Sequence, residues 1–228
     1  MLRLLVVLMA AGVASEAGAQ CPSNYLQVLP PGVANSVTRT SFAPVDFASG
    51  SYSGSYGPSI YSAGAYVGYN LATGALTDNC WGTLYTQGSV ATHDIFTLHG
   101  PAGNEPVAFK ADGLARVQND GGGSCTLEVR VGSSDSTTAI AGGGTYITQE
   151  LLVPITRTVG QTFDLFTSIT ITGGGGLPED DTTSDYSSLS LSFSGLPDGY
   201  WVTSCQGFGQ FATPARPQTW GHLKAAYR

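Results

Sequence analysis

The residues able to do chemistry are few and scattered. Three histidines, four cysteines and sixteen Asp and Glu are spread over 228 positions. "THDIFTLHG" sets His93 and His99 six apart. On a strand they would share a face yet lie roughly 20 Å from each other, too far for one metal ion. Asp94 adjoins His93, but neighbouring strand residues point to opposite faces, so the two do not read as a general-base pair. "GSYSG" (50–54) approaches a nucleophile elbow, except that its central residue is Tyr52, and no H-E-x-x-H run occurs. The paired carboxylates of a glycoside hydrolase can be distant in sequence. Glu128, Glu150 and Asp164 are the main acids within strand-like runs, and two of the three fall on solvent faces. The one acidic cluster is "LPEDDTTSD", with Glu179, Asp180, Asp181 and Asp185 read as a loop. Closely spaced oxygen ligands of that kind suit calcium, although the EF-hand order is missing and plain solvation explains them as well.

The cysteines read as staples. No two are close enough for a C-x₂-C zinc knuckle. Four cysteines (Cys21, Cys80, Cys125, Cys205) in an exported chain imply two disulfides with three connectivities. Cys21 with Cys80 and Cys125 with Cys205 is the expected pairing, since it ties the N-terminal third and the late strands separately.

A binding role has one local signal. Five of the eleven tyrosines (Tyr52, Tyr56, Tyr61, Tyr66, Tyr69) fall between Asp46 and Leu76, interleaved with Ser, Gly and Ala. One reading is a pair of edge strands whose tyrosines pack by their rings and hydrogen-bond at their tips. The other is an adhesive or carbohydrate-stacking face, for which Tyr52, Tyr56, Tyr61, Tyr66 and Trp81 are the candidates. The irregular tyrosine spacing breaks strict alternation and does not imply one continuous aromatic stripe.

The elements that must position these residues are strands. "CTLEVRV" puts Leu127, Val129 and Val131 on one face, "FDLFTSITIT" does the same with Phe163, Leu165, Ile169 and Ile171, and "SLSLSF" with Leu189, Leu191 and Phe193. Such period-two runs, each with one wet face, belong to antiparallel sheets. Glycine runs at 119–124, 141–145 and 173–185 separate them. With no helix following, these suit hairpin tips rather than phosphate cradles. "GLPDG" (195–199) reads as a turn into a final strand, "YWVTSC", with Cys205 a staple and not a nucleophile.

The ends and the composition give an address. "MLRLLVVLMAAGVASEAGA" has the positive start, short apolar run and A-x-A site of a secretory signal, so residues 1–19 are expected to be removed. Gln20 before Cys21 argues against a lipid anchor. No later stretch approaches the ~20 apolar residues of a membrane span. Nine Lys and Arg against sixteen Asp and Glu leave a net charge of −7, which lacks the footprint of a nucleic-acid binder. The rest suffices for one large sandwich, residues 20–210, followed by a tail, 211–228.

Several stretches resemble the β-sandwich domains of bacterial exported proteins that carry PEP-CTERM sorting tails. They are "HDIFTLHGPAG", "PVAFKADGLARVQNDGGGSCTLEVRV", "VGQTFDLFTSITI" and "DYSSLSLSFSGLPDGYWVTSCQG", covering about residues 80 to 208. The sorting tail itself is absent. In its place "ARPQTWGHLKAAYR" sets Trp220, Leu223 and Tyr227 on one helical face. The resemblance implies a fold and an address but no reaction. The sequence therefore predicts an all-β, antiparallel, jelly-roll-like β-sandwich with a short C-terminal helix or strap. Its expected function is a secreted, non-catalytic, structural or adhesive role at the bacterial surface or matrix. A carbohydrate-binding module is the alternative, and a hydrolase with dispersed carboxylates the third reading. Polysaccharide or other surface proteins are the expected partners, nucleic acid is not, and calcium is the one cofactor considered.

Overall fold

A computed structural model of the chain describes residues 21–30, 36–56, 59–119, 123–141, 145–173 and 183–210. The expected signal peptide, the C-terminal helix or strap, and the acids Glu179, Asp180 and Asp181 lie outside them. Within the described residues the chain is all-β, with no helix. Its strands are β1 (Asn24–Leu29), β2 (Val37–Ser41), β3 (Val45–Tyr56), β4 (Ser59–Asn70), β5 (Ala75–Gly82), β6 (Thr86–His99) and β7 (Val107–Asn119). There follow β8 (Ser124–Val131), β9 (Ser134–Ala141), β10 (Thr145–Arg157), β11 (Thr162–Gly173), β12 (Thr183–Ser194), β13 (Trp201–Ser204) and β14 (Gly209–Gln210).

These strands form the predicted antiparallel β-sandwich. One sheet runs β14-β13-β6-β11-β8-β9, with β1 and β2 joined to it through β6. The other runs β10-β7-β12-β5-β4-β3. The alternation read from the sequence is the alternation of burial: Leu127 and Val129, Leu165 and Ile169, and Leu189 and Phe193 all point inward. A sheet wet on one side must present its apolar set to a second sheet, and the two inner faces supply that cover for each other.

The interior has two ends of different character. At one, Phe96 lies 5.3 Å from Phe193, 5.6 Å from Phe208 and 5.7 Å from Phe163, ring centre to ring centre. Mostly edge-to-face, such pairs add about 0.5–1.5 kcal/mol each beyond their burial. At the other end Asp78, Cys80, Cys125, Asp185 and Ser187 are all buried. The Asp78 carboxylate accepts the backbone N–H of Ile171 at 3.1 Å, across from its own sheet. Gly88 on β6 makes room for it, since a Cβ there would collide with the carboxyl, and Gly173 on β11 does the same for Asp185.

The disulfide pairing corrects the expectation. Cys21 is bonded to Cys205, with Cα atoms 5.7 Å apart, and Cys80 and Cys125 are free, buried thiols. The cause is the length of β6. Its one edge pairs with β1 over Gln87–Ala91 and with β13 over Phe96–His99. The two short strands therefore lie in line, β13 running toward the start of β1, and the cysteines at the facing ends meet. Gln206 fills the join: its side-chain amide donates to the carbonyls of Pro22 and His93 at 2.5 and 2.8 Å and accepts from Asn24 Nδ2 at 2.6 Å. The "GLPDG" turn leads into β13 as expected, with Gly199 at φ 84° where a side chain would be strained.

Candidate functional site

Register builds a site that no single stretch of sequence contains. On the sheet β10-β7-β12-β5-β4-β3, Ser49 pairs with Tyr66, Tyr66 with Asn79, Asn79 with Tyr186, Tyr186 with Gln118, and Gln118 with Tyr146. Paired residues of an antiparallel sheet share a face. Their strand neighbours Val67, Asp78, Cys80, Asp185, Ser187 and Val117 are buried, so these six face away from the core. The result is one row across all six strands, reading Ser, Tyr, Asn, Tyr, Gln, Tyr. Tyr66, Tyr186 and Tyr146 remain 40%, 38% and 66% exposed.

Two further aromatic rings flank the row on its β3–β4–β5 side. Phe47 stacks on Tyr66 with centroids 6.0 Å apart and an interplanar angle of 24°. Trp81 lies over Gly64, where an added Cβ would stand 2.5 Å from the indole. The glycine thus lets the ring lie against the backbone instead of standing off the sheet. Phe47 is 60% exposed, so the platform is open to solvent. Asn79 Oδ1, between Tyr66 and Tyr186, is covered and has no hydrogen-bond partner among the described residues.

Of the five stacking candidates, the structure brings only Tyr66 and Trp81 onto this face. Tyr52 pairs with buried Ala63 and Tyr61 with Gly54, which places both on the opposite, inward-facing side of the β3–β4 hairpin. Tyr56 pairs with Ser59, and its side chain lies outside the described residues. Tyr69 is buried, its hydroxyl donating to the Ala43 carbonyl at 3.0 Å. Phe47, Tyr186 and Tyr146 were not among the candidates. Alternation in "SDYSSLSLSF" and "TYITQELLV" is the signal that would have turned them outward, but nothing local aligns them with Tyr66.

Lys110, Asp112, Arg116 and Glu150 share the outer face with the row, and the outer face of the other sheet holds a second set of charged groups. His93 Nε2 lies 3.5 Å from Asp164 Oδ1, and Arg130 sits over the Phe166 ring at 4.6 Å while its Nη1 is 3.5 Å from Glu128. Gly132 and Ser133 complete this shallow, open depression. His99, on the same strand face as His93, stacks on Trp201 at 5.3 Å and shares a 2.7 Å hydrogen bond with Thr203. As alternation required, Asp94 points inward, where Oδ1 accepts the N–H groups of Ile95 at 2.8 Å and Gln206 at 3.2 Å. Burial nonetheless raises its pKa.

The expected loop cluster does not hold together at Asp185. That residue stands on β12 with its side chain drawn into the core at 2% exposure, so it is not a loop ligand. Its register opposite Cys80 on β5 turns it inward. Burial pushes Asp78 well above the usual carboxylate range and the Cys125 thiol up to about 12, and raises Cys80 further still. Burial thus disfavours the charged forms of Asp78 and of both thiols. Among the described residues no group of three or more His, Cys, Asp and Glu could hold a metal ion, and no helix is long and apolar enough to cross a membrane.

No family model matches the chain, and no curated protein matches it. Among solved structures, TmCBM61 in complex with beta-1,4-galactotriose is similar at a TM-score of 0.32 and 12% identity, over 67% of this chain and 88% of that one. A likeness that slight decides neither ligand nor ancestry.

Proposed function

We propose that the chain is an exported, non-catalytic β-sandwich that adheres to polysaccharide through the outer face of the β10–β3 sheet, in a structural or adhesive role outside the cell. The observation that carries this is the row of exposed Tyr66, Tyr186 and Tyr146 separated by Asn79 and Gln118. Sugar rings offer a C–H face that stacks on an aromatic ring and a rim of hydroxyls that needs donors and acceptors. The three phenols and the exposed Gln118 amide supply both. A disulfide persists in oxidising compartments, which supports export. Asp78, Asp94 and Asp185 are buried in the core, at 0%, 3% and 2% exposure. Their closure from solvent supports the non-catalytic reading, and Glu150 and Asp164 stand on outer faces of opposite sheets. Electrophoresis of the purified protein through gels cast with neutral polysaccharides tests the reading. Retardation by at least one of them, lost in Tyr66→Ala/Tyr186→Ala, is the expected result. Unretarded migration through every gel would overturn it.

A further inference from the structure

The row has a repeat, and the repeat selects a ligand geometry. Tyr66 is on β4 and Tyr186 on β12, with β5 between them; Tyr146 is on β10, with β7 between it and β12. Neighbouring strands lie about 4.8 Å apart, so the rings recur roughly every 9.5 Å across the sheet. Two sugars of an extended β-1,4-linked pyranose chain span about that length, and every second sugar presents the same face. Chains that coil, such as α-1,4-linked or β-1,3-linked glucans, cannot keep alternate faces on a line. We infer that this face binds a single extended, uncharged β-1,4-linked glycan chain, lying across the strands with alternate sugars on Tyr66, Tyr186 and Tyr146. This rests on the reading of the face as a polysaccharide site.

Charge and twist narrow it further. The row itself holds only hydroxyl and amide side chains, and Arg116, two residues from Gln118 on the same face, is the charged group beside it. The protein's net −7 opposes a polyanion, so the complement of this row is a neutral chain. Successive strands rotate by about 20–25°, so rings two strands apart turn by roughly 40–50° relative to each other. A free chain can follow that turn by rotating about its glycosidic bonds. The flat face of a crystalline polysaccharide cannot, and meets one ring at a time.

Titration of the full-length protein with cello-oligosaccharides of increasing length, followed by calorimetry, tests this. Affinity is expected to rise with length and level off at about five sugars, the span from the first ring to the third. Tyr146→Ala, with an unchanged circular dichroism spectrum, is expected to level off at about three sugars and to bind the pentamer about tenfold more weakly. Crystalline cellulose is expected to bind more weakly than the soluble chain. Affinity without length dependence, equal binding of α-1,4- or β-1,3-linked glucans, or preference for polygalacturonate would overturn the β-1,4 assignment while leaving polysaccharide binding standing. Failure to bind any of these glycans would remove both.

Discussion

Breaking the Cys21–Cys205 bond should cost more than any single side chain on the surface. The bond closes a loop with a sequence separation of 184. Loop-closure entropy for that length gives about 5 kcal/mol at 25 °C, and removal of native disulfides commonly costs about 2–5 kcal/mol. In a domain of this size the midpoint should fall by roughly 5–20 °C. Cys21→Ser/Cys205→Ser and the wild type can be unfolded by heat and by urea, with and without dithiothreitol. The wild type should lose stability on reduction, and the double variant should not respond. Thiol titration fixes the pairing independently. The native protein should show no reactive thiol, the unreduced unfolded protein two (Cys80 and Cys125), and the reduced unfolded protein four. Burial keeps both free thiols protonated and out of reach. No thiols in the unreduced unfolded protein, a Cys21–Cys80 peptide in the digest, or stability indifferent to reductant would each refute the reasoning.

Asp78 should make the fold less stable as pH rises. Its folded pKa is raised by burial, so above about pH 4 the unfolded chain releases a proton that the folded one retains. Fewer protons are then bound in the unfolded state, and stability falls by up to about 1.4 kcal/mol per pH unit until the folded pKa is reached. Asp78→Asn keeps the acceptor for the Ile171 N–H and should flatten urea midpoints between pH 5 and 8, leaving a smaller slope from Asp94, whose pKa shifts the same way. An undiminished slope in the variant would count against this. Separately, Gly64→Ala should lift Trp81 off the backbone and shift tryptophan emission to the red without changing the far-ultraviolet spectrum; an unmoved emission maximum would mean that the indole does not rest there.

The parts of the fold that depend on neighbours in sequence were legible, and those that depend on register were not. Leu127–Val131, Phe163–Ile171 and Leu189–Phe193 announced their inward faces because alternation is written into adjacent residues. Asp185 was misplaced because its neighbours are polar and acidic, whereas its burial comes from pairing opposite Cys80 and from the space at Gly173. The tyrosine-rich segment drew attention to Tyr52 and Tyr61, which pairing turns to the inward-facing side. The platform instead needs Tyr146 and Tyr186, which lie far along the chain from Asp46–Leu76. The disulfide was misjudged for a similar reason. Nothing in the spacing of four cysteines says that β1 and β13 share one edge of β6.

That shared edge has a mechanical consequence. Because β13 runs on into β1 and a covalent bond closes the join, the chain between Cys21 and Cys205 is a ring. Tension applied between the segment before Cys21 and the segment after Cys205 passes through two sulfur atoms and bypasses every sheet hydrogen bond except those that hold the two-residue β14 to β13. A sandwich held at both ends would carry load without extending, its tyrosine row undistorted. Only reduction would release the intervening chain to stretch.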